Sequence, residues 1–580
     1  MRTVLSSLLL AAAVVAAGAG ADPAQGPSPA PAAAPEPQAP DCSERMPIGG
    51  IGSWTEDLAR VAELTGAAPV RPEVFRRWSS TTEVTICRGG RAPHPSQLPP
   101  PLQPRDLQVE ATPLSWRTYL NSGYPDDRND GALWEGRGIS TEATGGVRLR
   151  WRFFSAGFIP TVAWQQNRDF PRPPMTTPGY STYANPFYNS NGYTIDYPLR
   201  FGPTDFWTFD PGQSYARIDL WNVAFGFSTE NMWWGPGIRN SILMTNSAPG
   251  FPHLFLGTSH PQDIWLGWLE VQLVWGRLRE SKWFDTDPTD DRRHFTSLNV
   301  GFEPKWIPGL FVGANRVYLY RIPPGGLDFG RTIGEPLFNP FFKDALANPN
   351  DPTGDSSDNQ LFSLFARWVF PASGLEIYGE WGRDDHSWNF RDFITQPSHS
   401  QAFMLGLQKV FPVGEGWIRF VGEYTQTLEE PTNNPPRGVP IFYTHGSWGE
   451  PQGYTNDGQM LGAGIGPAAD SQFVAVDWFH SRGRAGVWFE RVLRNDRYFY
   501  DNIHRMFAED TEIAAGLRGV WSWRELDLDA SLGLGHRYNM DFMTDANSWK
   551  GMLAFTWWPG RSAIPALPAP TSFTGGTVAR

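Results

Sequence analysis

From about residue 110 onward, apolar and polar side chains alternate with period two, in runs punctuated by Gly, Pro, Asn and Asp. A strand satisfies that pattern and a helix does not. In 525–537, Leu526, Leu528, Ala530, Leu532 and Leu534 point one way, and Glu525, Asp527, Asp529, Ser531 and Arg537 the other. Three further runs behave alike. Leu375, Ile377 and Trp381 oppose Glu376 and Glu380; Ile418, Phe420 and Tyr424 oppose Arg419 and Glu423; Ala485, Val487, Phe489 and Leu493 oppose Arg484, Glu490 and Arg494. Similar runs begin near 131, 146, 157, 215, 264, 295, 309, 361, 402, 472, 512 and 549. The total is roughly 16–18 strands, within the range of single-chain outer-membrane barrels. Several runs reach about ten residues, enough to cross a tilted bilayer span, whereas strands of soluble proteins average about five or six. A soluble sandwich or propeller would also alternate, but strand length and polar faces carrying both Arg and Glu favour a lumen. The expected fold is all-β: a transmembrane antiparallel barrel with a small N-terminal helical segment.

The rest of the chain fits that frame. Arg2, the apolar stretch from Val4 to Ala17 and the small residues Gly18 to Ala21 form a secretory signal peptide over 1–21, with cleavage after Ala21. Beyond it no run of eighteen apolar residues exists, so helical membrane spanning is not expected. Residues 22–41 are a Pro/Ala-rich linker. Cys42 and Cys87 are the only cysteines, and in an exported chain such a pair reads as one disulfide. Within 42–104, Ser53 and Glu56 read as a capping box ahead of Leu58, Val61, Ala62 and Leu64, with Gly66 as the stop. Pro72 opens an expected second short helix through Phe75 and Trp78. The barrel is expected over 105–560, ending on a strand at 552–558, with a tail at 561–580. Short turns such as Pro371-Ala372-Ser373 alternate with long stretches at 168–213, 322–359 and 428–470, the asymmetry of a barrel's two ends. The 27 Trp, 38 Phe and 17 Tyr suit strands and membrane rims. A net charge of −12 argues against a nucleic-acid partner.

Signals for catalysis are weak. Gly354-Asp355-Ser356 sits in an Asn/Asp/Pro-rich turn, and there is no Gly-x-Ser-x-Gly elbow. Asp285, Asp287, Asp290 and Asp291 lack the glycine and terminal glutamate of a calcium loop and read as a surface turn. Glu376, Glu380, Glu423 and Glu490 resemble paired glycosidase carboxylates only until their neighbouring arginines are noticed; a lumenal charge network fits better. The ten histidines show no ligand spacing.

The most unusual segment is Trp233-Trp234-Gly235-Pro236-Gly237. Proline lacks a ladder donor and glycine favours a bend, so a folded-in loop presenting aromatic faces is expected rather than a regular ladder. With Ser241, Asn246 and Ala248 downstream, and Glu135-Gly136-Arg137-Gly138 then Gly145-Gly146-Val147 upstream, it resembles the hallmark of the Wzi-type capsule assembly family. The short helices before the barrel fit the same family. The resemblance implies a non-catalytic outer-membrane barrel that binds capsular or exopolysaccharide at its outer face. The Pro/Ala-rich linker, the cysteine pair and the tail depart from that pattern.

Sugars stack their C–H faces on Trp and Tyr, and their hydroxyls need Asn, Asp or Arg. The candidates are Trp233, Trp234, Arg239, Asn240 and Asn246, with Trp388, Trp448 and Tyr454 in loops. The alternative for the tryptophans is lumen packing, with Gly-Pro-Gly turning a plug. Expected partners are surface polysaccharide, outer-membrane lipid and, during biogenesis, the barrel-insertion machinery. A monomer without cofactor or metal is expected. A diffusion porin and a surface glycoside hydrolase stay open as alternatives.

Overall fold

The computed structural model describes residues 40–568 except 78, 80–82, 99–103, 127, 190–192, 323–358, 385–389, 396, 429–440, 447–449, 562–563 and 565–566. The expected signal peptide, nearly all of the linker, most of the tail and the Gly354-Asp355-Ser356 turn lie outside these residues.

Antiparallel strands follow one another in chain order around a closed barrel, sealed where the last strand, Thr544–Trp557, pairs with Leu114–Asn121. Of its 23 strand segments, eight are halves of four broken spans, and Gln262–Ile264 is an annex to Gly267–Arg279, so the wall has eighteen spans. The broken spans join Gln108–Ala111 to Leu114–Asn121, Gly138–Thr144 to Val147–Trp151, Phe154–Phe158 to Thr161–Gln165, and Phe206–Asp210 to Tyr215–Leu220. Pro113, Pro160 and Pro211 stand in three of these gaps, where the missing N–H ends a ladder. Gly145 and Gly146 fill the fourth; a Cβ on Gly146 would fall 1.8 Å from the Phe158 carbonyl oxygen.

The apolar faces point outward. Leu534 is 64% exposed and its neighbour in pattern Leu532 nearly half exposed, whereas Asp527 on the opposite face is 3% exposed. Water would not tolerate that inversion over a whole barrel; lipid requires it. Trp221, Trp265, Trp306, Trp523 and Trp557 stand exposed at or beside the short turns, forming an aromatic rim at that end. No helix among the described residues is long and apolar enough to cross a bilayer.

The N-terminal segment enters the barrel at the short-turn end. Asp41–Pro47 pairs with Glu83–Arg88, and a disulfide joins Cys42 to Cys87 across that pair. The helix Trp54–Leu64 starts as its cap predicts: the Ser53 side chain accepts from the Glu56 N–H, while the Glu56 carboxylate accepts from the Gly52 N–H at 2.7 Å. Gly66 follows with φ +76°. The helix's apolar stripe of Leu58, Val61, Ala62 and Leu64 packs on Val369, Val410, Trp417, Phe479 and Val520 of the rim. Asp57, Arg60 and Glu63, spaced three apart, share another face. There Asp57 meets Arg419 at 2.7 Å and also Arg484, Arg60 pairs with Glu376, and Glu63 accepts from Arg367 at 2.8 Å.

The second expected helix does not form. Phe75–Arg77 is a strand, because its backbone partners lie inside the barrel on Met232–Trp234 rather than one turn away.

Candidate functional site

The Trp-Trp segment reaches the lumen from the long-loop side, in the connection between Val223–Ser228 and His253–Thr258. Contrary to the expectation that it avoids any ladder, Met232–Trp234 pairs with Phe75–Arg77 for three residues; the ladder stops at Gly235, whose φ is +89°. A left-handed residue there turns the chain so that the Gly235 N–H reaches the Val74 carbonyl at 2.9 Å.

Lumenal carboxylates then grip the loop. Glu423 accepts backbone N–H groups from Ile238, Arg239 and Asn240, at 2.9, 3.1 and 2.6 Å, and the Tyr378 hydroxyl at 3.0 Å. Glu380 accepts from the Ile242 N–H and the Ser241 hydroxyl, both at 2.8 Å. Glu490 holds Arg239 and Arg128, each at 2.9 Å. Glu376 takes Arg60 and Arg367. The four glutamates singled out in the sequence thus serve as sockets for the loop and the helix.

The sequence-derived site residues divide accordingly. Trp234 is fully buried beside Phe295, ring centroids 6.1 Å apart. Trp233 is 2% exposed under the Arg76 guanidinium, 4.8 Å from its ring, and borders a cavity by one edge. Asn240 is buried at the Glu423 socket. Tyr454 is buried too: it stacks on Tyr443 at 5.8 Å and donates to the Leu243 carbonyl at 2.7 Å, backing the loop from behind. Arg239 and Asn246 face the cavity. Trp388 and Trp448 lie outside the described residues.

The cavity measures about 520 Å³ and runs from the start of the helix, Gly49 to Asp57, to the loop 126–135. Its walls also include lumenal side chains that sequence reasoning did not single out, among them Arg117, Glu142, Trp488, Arg518 and Lys550. Charges of both signs are paired there. Arg117 meets Glu142 at 2.6 Å and Asp130 at 3.0 Å, Lys550 meets Asp126 at 2.7 Å, and Arg518 meets Asp477 at 2.7 Å. In the loop, burial pushes the Asp130 carboxyl up to about 6 against the pull of Arg117. Burial likewise opposes ionisation of Asp126, yet Arg128 and Lys550 hold it well below the usual range. Trp488 points inward between the outward Val487 and Phe489 and is half-buried. It lies over Gly516 and Gly533, where an added Cβ would come within 2.7 and 2.9 Å of its ring. One indole face therefore rests on glycines and leaves the ring beside the cavity. A signal existed in the sequence: a tryptophan at an inward-facing position with glycines opposite.

Such a chamber offers an apolar platform ringed by hydrogen-bonding groups of balanced charge. Its volume is in the range of small-molecule sites, roughly 300–1,000 Å³. The acidic turn near the barrel's long-loop end is less uniform than a surface turn: Asp287 and Asp291 are exposed, Asp285 is half-buried and Asp290 is buried.

The profile of the capsule assembly protein Wzi family matches residues 133–546. Among solved structures, the chain is similar to Wzi of Escherichia coli, described as an outer membrane protein involved in group 1 capsule assembly and a carbohydrate-binding β-barrel. Identity is 14%, TM-score 0.51, covering 76% of this chain and 83% of that one. OccAB2 of Acinetobacter baumannii follows at 10% identity and TM-score 0.38, covering 78% and 98%. OccD3 of Pseudomonas aeruginosa matches at 10% and 0.38, covering 84% and 99%. A search of curated proteins finds no match.

Proposed function

The chain belongs to the capsule assembly protein Wzi family, and from that premise we propose that it is a non-catalytic outer-membrane barrel that binds capsular or exopolysaccharide and helps assemble or hold that polymer at the cell surface. The observation that carries this reading is the chamber beside the Trp-Trp loop: an indole platform with paired charges around it. A sugar ring stacks on Trp488 while its hydroxyls exchange hydrogen bonds with the Arg117–Glu142 and Lys550–Asp126 pairs. Arg239 and Asn246 contact the polymer from the loop. Trp233, Trp234, Asn240 and Tyr454 act indirectly, by fixing the loop's shape, and Trp388 and Trp448 also contact polymer. The chain is exported through cleavage of 1–21, inserted by the barrel machinery as a monomer, and places 42–104 at the periplasmic end.

A diffusion porin is the other reading, and the ion-paired helix across the short-turn end weighs against it. The test is retention of the host's surface polysaccharide on immobilised, detergent-folded protein. Wild type retains polymer; Trp488→Ala lowers affinity roughly tenfold, about 1.4 kcal/mol, with the barrel intact by circular dichroism. Absence of retention by wild type, together with steady ion conductance in planar bilayers, would establish the porin instead.

A further inference from the structure

The turn between Gly267–Arg279 and Arg292–Pro304 gathers three carboxylates from one short segment. Glu280, Asp285 and Asp290 each bring an oxygen within 4.8 Å of the others. That spread suits ligands around a single ion with bonds of about 2.3–2.6 Å. Acidic residues gather on many exposed turns without an ion, but two further observations set this group apart.

Gln452, from the connection 427–469, is 0% exposed and lies against the cluster: its amide nitrogen donates to Glu280 at 2.5 Å and to the Asp290 carbonyl at 3.3 Å. Its amide oxygen has no hydrogen-bond partner among the described residues. Asp290 is 7% exposed, and its Oδ1 is also without a partner among the described residues. Buried polar atoms almost always find a partner, so an unmet Asp290 oxygen within the cluster, beside a buried amide whose own oxygen is unmet in its present orientation, fits a site for a positive ligand. Neighbouring positive charge is directed elsewhere. Arg293 is fully buried and turns its terminal nitrogens to the Gly453 and Thr455 carbonyls, while Arg321 donates to Thr289. Asp196, which adds to the negative field, is held by the Ser281 N–H and hydroxyl at 2.6 Å. Burial, followed by repulsion from Asp196, Asp285 and Asp290, pushes the Glu280 carboxyl up to about 8.

We propose that Glu280, Asp285, Asp290 and the Gln452 side-chain carbonyl form a site for a hard divalent cation, of calcium size, at the long-loop end of the barrel. The donors are all oxygens, which selects a hard ion over zinc or copper. The amide of Gln452 reverses on binding, exchanging its N–H contact with Glu280 for a carbonyl bond to the ion; the two orientations occupy the same volume. One Asp285 oxygen already accepts from the Asp287 N–H at 2.8 Å, which leaves the other for the ion. The bound ion ties the 280–291 turn to the segment carrying Tyr454, and hence to the back of the Trp-Trp loop.

Calcium chloride titrated into the full-length, detergent-folded, chelator-stripped protein and followed by calorimetry tests this directly. The expected dissociation constant is on the order of 10⁻⁴–10⁻³ M, as in extracellular modules with few charged ligands. Magnesium binds more weakly. Asp290→Asn and Glu280→Gln each weaken binding roughly tenfold or more, and Asp263→Asn, at the opposite end of the barrel, leaves it unchanged. If the buried variants do not fold, Asp285→Asn on the half-exposed side of the turn decides. Absence of saturable binding by wild type, or an unchanged constant in Asp285→Asn, would overturn the proposal.

Discussion

Glu423 illustrates what one lumenal side chain does here. It accepts three consecutive backbone N–H groups of a loop some 183–185 positions earlier in the chain. Truncating it strands those donors in a buried place, at about 1–3 kcal/mol each. Glu423→Ala is therefore expected to loosen 238–242 selectively, read as faster hydrogen exchange there while the strands stay protected; uniform exchange would refute the socket role. The alternation placed Glu423 in the lumen, but no local pattern names a partner so distant in sequence. The tryptophans show the same limit. Stacking on a sugar and packing against a neighbour use the same side chain, and the sequence could not show that Trp233 and Trp234 are buried, at 2% and 0% exposed. The inconspicuous Trp488 lies beside the chamber, because Gly516 and Gly533 beneath it leave room for a flat ring.

Among elements, the plug helix was fully legible. Its cap, apolar stripe and glycine stop are local signals, and the structure places it at Trp54–Leu64. Phe75–Arg77 was not, since its ladder partner is supplied by tertiary structure. Glu63 and Arg367 are both fully buried, and breaking such a pair costs about 3–5 kcal/mol. Glu63→Ala should release the helix enough to raise bilayer conductance above wild type; unchanged conductance would mean that the loops alone seal the lumen. Acid should act on the same latch. Burial opposes ionisation of Asp57, but Arg419 and Arg484 hold its carboxyl well below the usual range. A lowered native pKa gives stability that is present above the unfolded value of about 4 and lost as pH falls below it. Protease cleavage within 40–104 is thus expected to rise below about pH 4, and a rise at higher pH would show that another group controls release. Opening the Cys42–Cys87 loop, with its separation of 45 residues, should cost the segment roughly 4 kcal/mol on chain-entropy grounds without unfolding the barrel.

At the scale of the molecule, period-two alternation sufficed for the barrel and for a range of roughly 16–18 strands that takes in the eighteen spans at its upper end, because the side-chain period of a strand is fixed by its pleat. It did not show that four spans break at Pro113, Gly146, Pro160 and Pro211, nor that helix and loops meet in the lumen and leave a chamber between them. Those features depend on which distant segments fill a shared volume. The central claim is that this chamber is where polysaccharide binds. A crystal of the protein grown with an oligosaccharide of the host's surface polymer tests it most directly: sugar density against the Trp488 ring, within reach of Arg117 and Lys550, is the predicted result. Density confined to the outer loops with the chamber left to solvent would contradict it.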